Sequence, residues 1–142
     1  MFDPIIITSS QSQSIFHITK TANISQWSIV NDGGFTSVRY RFSALEVNRT
    51  SKIKPRLKGD GREYQFRIKD DSRQYYSYIT TFSTSGEWQG IEIPLGEIEP
   101  SFRGRKLNIP NFSENQIEEI VFLIANKKEE RFELLLDSVV LE

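Results

Sequence analysis

The sequence contains no cysteine, which excludes disulfides, thiolate metal centres and cysteine nucleophiles. Its one histidine is His17. A histidine cluster for zinc is excluded with it, because such sites need several ligands. A serine–histidine–aspartate triad has a single candidate base. His17 lies in IFHITK, an alternating segment without a companion ligand, and reads as a surface residue. No charge of one sign dominates: 18 basic side chains against 19 acidic ones give a net −1. That balance points to neither nucleic acid nor anionic lipid. No apolar run approaches the roughly 20 residues of a membrane-spanning helix. The opening MFDPIIITSSQSQS lacks the basic and apolar regions of a signal peptide, and it is too poor in arginine for a transit peptide.

What the sequence does have is short alternating segments. GGFTSVRYRF, from Gly33 to Phe42, places Val38, Tyr40 and Phe42 on one face and Phe35, Ser37, Arg39 and Arg41 on the other, the period of a strand. Further strands are expected at Ile5–Thr8, Ile15–Ile18 and Trp27–Val30, the last joined to the Gly33 strand through Asn31-Asp32-Gly33-Gly34, a tight-turn signal. Ser43 to Ser51 reads as loop with some extended character. Lys52–Lys58 and Arg62–Lys69 read as a hairpin about Gly59-Asp60-Gly61, with Pro55 marking an edge or a bulge. Tyr75–Ser83 has strand composition, but two phases compete: Tyr76, Tyr78, Thr80 and Phe82 against Tyr75, Ser77, Ile79 and Thr81.

In Trp88–Leu95 the residues Trp88, Ile91 and Ile93 do not share a face, and a bulge near Gly90 would reconcile them. Gly96 to Pro110 reads as loop. Ser113-Glu114-Asn115-Gln116 fits a capping box before one helical turn at Ile117–Ile120. Val121–Ala125 and Arg131–Leu141 are apolar on consecutive positions and are expected between sheets. The pattern, short strands at turn spacings near 8–12 residues, favours an antiparallel sandwich. No repeat or boundary divides the chain, so residues 1–142 are expected to form one domain, long enough for a sizeable core. The expected core includes Trp27, Val38, Tyr40, Phe66, Ile68, Ile93, Val121, Leu123, Phe132 and Leu134.

Taken in order, WSIVND, GGFTSVRYRF, KGDGREYQFRIK, YYSYITTF, GEWQGIEIPL, PSFRGRKL and RFELLLDSVVL resemble the complex I intermediate-associated protein 30 family, from about Phe16 to Leu141. The GGF-S-VR element and the GDG-x-x-Y-x-F-R stretch are the most specific parts. The resemblance implies a galactose-binding-like jelly roll, a fold shared with many carbohydrate-binding modules. It implies an assembly factor of respiratory complex I in mitochondria and a less defined role in bacteria, and it carries over no catalytic residue. The location it implies is mitochondrial in a eukaryote and cytoplasmic in a bacterium. One departure stands out: relatives have a loop and a strand between the segments that here abut at Asp32 and Gly33.

The chemistry of the residues is sparse. A glycosidase needs two carboxyl groups across a cleft, but Glu63, Asp70, Asp71, Glu87, Glu92, Glu97 and Glu99 fall in turns or at exposed strand positions. Asp60 alone is far from the six to eight oxygens that calcium takes. No metal, cofactor or enzymatic activity is therefore expected. The candidate ligand or partner surface is Arg39, Gln65 and Arg67, joined by Tyr76 and Tyr78 if their strand takes that phase. Planar cations and aromatic rings suit a protein interface and equally a sugar. The expectation is a non-catalytic module that binds a protein partner, a respiratory-complex assembly intermediate; the alternative is a carbohydrate-binding module with a glycan ligand.

Overall fold

The structure is a computed structural model that describes residues 5–8, 26–32, 35–124 and 133–142. His17, the strand expected at Ile15–Ile18 and Phe132 lie outside the described residues, as do the side chains of Trp27 and Phe42. The strands are β1 (Ile5–Thr8), β2 (Gln26–Asp32), β3 (Phe35–Glu46), β4 (Lys52–Lys58), β5 (Glu63–Lys69) and β6 (Ser77–Ser83). They continue with β7 (Trp88–Gly90), β8 (Ile93–Pro94), β9 (Glu99–Phe102), β10 (Arg105–Lys106), β11 (Gln116–Ile124) and β12 (Glu133–Leu141). Leu95–Glu97 forms a single 3₁₀ turn. Among the described residues no helix is long and apolar enough to cross a membrane.

Two antiparallel sheets result. One runs β10-β9-β6-β5-β11-β3-β2; the other runs β1-β12-β4-β7, with β8 also paired to β4. Their facing sides close over one core, in which Val38, Tyr40, Phe66, Ile68, Ile93, Leu134 and Leu136 are all buried. The rings of Phe66 and Phe122 meet at 5.1 Å, and Tyr64 stacks on Phe82 at 6.1 Å. β4 and β5 alternate apolar inner residues with mostly polar outer ones, as KIKPRLK and EYQFRIK show. β2 and β3 form the expected hairpin: Val30 pairs with Ser37 and Asp32 with Phe35, leaving Gly33 and Gly34 between them.

Several expectations are corrected. β4 and β5 are not a hairpin. β4 pairs with β12, β7 and β8, while β5 pairs with β11 and β6 in the opposite sheet. Gly59 to Arg62 is thus an arch between sheets, and it is stapled by Thr84. The Thr84 hydroxyl donates to the Arg62 carbonyl at 2.7 Å and accepts from the Gly61 N–H at 3.0 Å. Gly59 packs so closely that a Cβ there would lie 2.3 Å from Thr84.

Pro55 does not sit on an edge strand, and a bulge lies one pair away from it: β12 shifts register between Leu136 and Ser138, opposite Leu57 and Arg56. No bulge occurs near Gly90. Arg56–Gly90 and Ile53–Ile93 keep one register, and the ladder lapses between them because Pro55 accepts from Ile91 N at 2.9 Å but has no N–H to return. Trp88 fails to share a face with Ile93 because it points outward, 5.4 Å beneath the Arg56 guanidinium.

The extended character of Ser43 to Glu46 is that of β3, which runs on through it, and Gly96 to Pro110, read as loop, contains β9 and β10. The helical turn at Ile117–Ile120 is absent; the segment is strand β11. Gln116, placed by the capping box to reach back to Ser113, instead donates to the Asp70 carbonyl at 3.1 Å. A register shift between Ile117 and Glu119 lets Ile117 and Ile120 both enter the core, which imitates helical spacing. Leu123 is half-buried on the outer face of its sheet, and Val121 is buried on that same side.

Truncating Phe66 to alanine is expected to cost about 3–5 kcal/mol in urea denaturation; a loss below about 1 kcal/mol would place that ring outside the core. Gly59→Ala is expected to destabilise by about 1–3 kcal/mol, since its new methyl group overpacks against Thr84. An unchanged midpoint would show that the arch can move away.

Candidate functional site

The alternation that buries Val38, Phe66 and Phe122 sends their neighbours to the outer face of the seven-stranded sheet. The registers then set these neighbours in rows. Thr81, Gln65, Leu123 and Ser37 align across β6, β5, β11 and β3. Ile79, Arg67, Val121 and Arg39 form the next row, and Lys69, Glu119 and Arg41 the third. This face forms a cleft of about 300 Å³. Ile79, Val121 and Leu123 give it an apolar floor, and Arg39, Arg67 and Lys69 stand around them.

One wall is the β9–β10 hairpin. Its two-residue turn, Arg103-Gly104, has φ of 51° and 79°, the left-handed pair of a tight hairpin turn. Glycine accepts that conformation freely, whereas arginine does so only with strain. The turn carries the Arg103 guanidinium to 5.1 Å from the Phe102 ring centroid. Tyr75, largely exposed, meets the same ring edge-on at 5.1 Å.

Glu119 lies at the base of the cleft with 1% of its surface exposed. Arg41 Nε donates to its Oε1 at 2.8 Å, Arg39 Nε lies 3.5 Å from the same oxygen, and Lys69 Nζ lies 4.0 Å from Oε2. A buried carboxylate is tolerated only when paired in this way. Arg67 is situated differently. Its Nε and Nη2 donate to the Gln65 side-chain carbonyl at 3.0 and 2.8 Å, and it has no carboxylate partner among the described residues. Burial, and then the positive charge of Arg39, lower its pKa below the ordinary arginine value, although an arginine so placed remains charged.

The structure thus brings together Arg39, Gln65 and Arg67. Tyr76 and Tyr78 do not join them, which corrects the phase under which they would. β6 turns Tyr78 and Phe82 inward, and Tyr78 packs edge-on against Phe112 at 5.1 Å. Burial pushes the Tyr78 hydroxyl above its usual pKa, and Tyr76 packs against the same core. Tyr75, Ser77 and Ile79 line the cleft instead. Glu119, Val121, Leu123, Phe102 and Arg103 were not among the expected residues. The unbroken apolar run after Glu119, which gives β11 an apolar residue on both faces, and the Arg103-Gly104 turn dipeptide are the signals that point to them.

Several of the other carboxylates have partners of their own. Asp60 accepts from Arg62 Nη1 at 2.9 Å and from the Tyr64 hydroxyl at 2.8 Å, so its oxygens organise the arch. Glu92 lies 2.7 Å from Lys52, and Glu99 lies 3.1 Å from Lys106. Among the described residues no three His, Cys, Asp or Glu side chains are grouped to hold a metal ion.

Replacing Glu119 with glutamine leaves Arg39, Arg41 and Lys69 without their shared carboxylate. The expected loss is about 1–3 kcal/mol, discounted because Arg41 is more than half exposed. Urea denaturation checks it, and an unchanged stability would show that the carboxylate does not hold this row of cations.

Among solved structures, a family 11 carbohydrate-binding module from Clostridium thermocellum, in complex with a β-1,3-1,4-mixed-linked tetrasaccharide, is similar over 96% of this chain and 96% of its own. The TM-score is 0.55 at 16% identity. A family 30 carbohydrate-binding module of a Clostridium thermocellum cellulosomal cellulase is similar over 100% of this chain and 94% of its own, with a TM-score of 0.50 at 12% identity. At these identities the likeness is one of fold, that of an antiparallel jelly-roll sandwich of the galactose-binding-like kind. No curated protein matches the chain. The family model described as complex I intermediate-associated protein 30 matches residues 8–136, nearly the whole length, and the chain belongs to that family.

Proposed function

We propose that this chain is a non-catalytic binding module, a single domain over residues 1–142, that holds a protein partner in the cleft on the outer face of its seven-stranded sheet. Its family points to an assembly intermediate of a respiratory complex as that partner, met in the mitochondrion of a eukaryote or the cytoplasm of a bacterium. Arg39, Gln65 and Arg67 form the contact surface, with Leu123, Phe102 and Arg103 added to it. The observation that carries the reading is Arg67, a half-buried guanidinium that no carboxylate within the described residues neutralises. A planar cation beside an apolar floor is the composition of interface hot spots.

A glycan is the second reading. What favours it is the exposed Tyr75 beside Phe102, together with a fold shared with a module that holds a tetrasaccharide. Against it, the floor of the cleft is aliphatic and its margins are charged, whereas sugar platforms rely on open aromatic faces. Tyr75 already lies against the edges of Tyr76 and Phe102.

The test is capture of respiratory-complex proteins from solubilised membranes of the native organism. Leu123→Asp is expected to abolish retention, and Lys54→Ala on the opposite sheet is expected to leave it intact. Retention unchanged by Leu123→Asp, or release of the captured proteins by mixed-linkage glucan oligosaccharides, would overturn the protein-binding reading.

A further inference from the structure

Resting on the protein-binding reading above, we propose that the cleft takes an acidic peptide segment: an apolar side chain seated on Ile79, Val121 and Leu123, flanked by carboxylates that engage Arg67 and Arg103.

The argument is one of charge complementarity. The chain as a whole carries a net −1, yet the cleft is lined by Arg39, Arg67, Lys69 and Arg103 against Glu119 as its one carboxylate. Several cations elsewhere on the described surface meet acids: Lys52 with Glu92, Lys54 with Glu142, Arg73 with Asp71 and Lys106 with Glu99. Inside the cleft, Glu119 is already shared by Arg39, Arg41 and Lys69. Among the described residues Arg67 is left with an amide partner only, and burial makes a charge without a counter-ion costly. An incoming carboxylate would supply the charge-assisted, two-pronged contact that a guanidinium is shaped for.

Arg103 supports the same conclusion independently. The turn it occupies favours Asn-Gly, and arginine there is held at φ 51°. A residue kept in a strained conformation where another would fit better points to use of its side chain, and this side chain stands at the cleft wall.

The shape and floor choose among anions. A nucleic acid presents a regular run of phosphates, which calls for a basic stripe along the protein. The cleft instead holds about 300 Å³ around three aliphatic residues. An apolar floor framed by cations matches a side chain between two acidic ones.

The experiment uses the full chain and immobilised twelve-residue peptide libraries with Asp or Glu flanking Leu or Phe, against matched libraries with Asn or Gln in their place. Binding is expected to favour the acidic library at least tenfold, and the preference should shrink as salt rises. Arg67→Gln should cut acidic-peptide affinity about tenfold. Arg103→Asn should do the same while raising or preserving the melting temperature, which separates ligand recognition from folding. Equal binding of the two libraries overturns the proposal, as does acidic binding that both variants leave unchanged. Equal affinity for duplex DNA overturns the peptide assignment. If the libraries are not distinguished but Leu123→Asp still abolishes capture of the native partner, this inference alone falls. If capture survives Leu123→Asp, the underlying reading falls whatever the peptides do.

Discussion

Strand β11 is the element on which both the core and the cleft depend. It lies between β3 and β5 in the interior of the seven-stranded sheet, so both of its edges are paired, and its two faces serve the core and the cleft. Inward it delivers Ile117, Ile120 and Phe122; outward it delivers Glu119, Val121 and Leu123. A strand in strict alternation would send Ile117 and Glu119 to the same side. The register shift between them resolves that conflict at the cost of a locally broken ladder. Placing Glu119 under the sheet's outer surface then constrains its neighbours. Desolvating a carboxylate costs several kcal/mol unless it is paired, and β3 and β5 supply the pairing through Arg39, Arg41 and Lys69. The outer face becomes cationic because a central strand carries one buried acid.

Alternation in the sequence reports which face a residue takes, but not which strand lies beside it. GGFTSVRYRF and REYQFRIK therefore disclose their inner residues, and Arg39, Gln65 and Arg67 are legible as outward-facing. That these three meet in one cleft depends on β11 running between their strands, which no local pattern announces. The same limit explains the misplaced hairpin. β4 and β5 each bear one apolar face and a turn lies between them, and this pattern is identical whether two strands pair side by side or face each other across a core. Thr84, 22 residues beyond Arg62, fixes the second outcome.

Other readings failed where two local signals competed. Both phases of Tyr75–Ser83 are rich in aromatic and β-branched residues, and Phe112, distant in sequence, selects the one that buries Tyr78. Ser113 to Ile120 carries a capping box and apolar residues three apart, yet flanking strands on both sides draw it into the sheet, where backbone pairing outweighs a weak helical preference. Trp88 shows another case: it does not share a face with Ile93 and lies at the surface under the Arg56 guanidinium.

The two outer surfaces of the sandwich handle charge differently, and that difference carries the functional information. On the five-stranded sheet, Lys52 and Lys54 share Glu92, and Lys54 also reaches Glu142 at 2.7 Å. Those pairs stay in contact with water, where they contribute little to stability, and Arg56 beside them lies over the Trp88 ring. On the seven-stranded sheet the cations outnumber the acid, and several are partly withdrawn from solvent. Folding alone gives no reason to concentrate unneutralised charge where desolvation makes it expensive, since the same chain disperses its charges on the other side. A bound anion would offset the cost of that recess, which is why the proposed acidic segment is sought in this cleft and not on the opposite sheet.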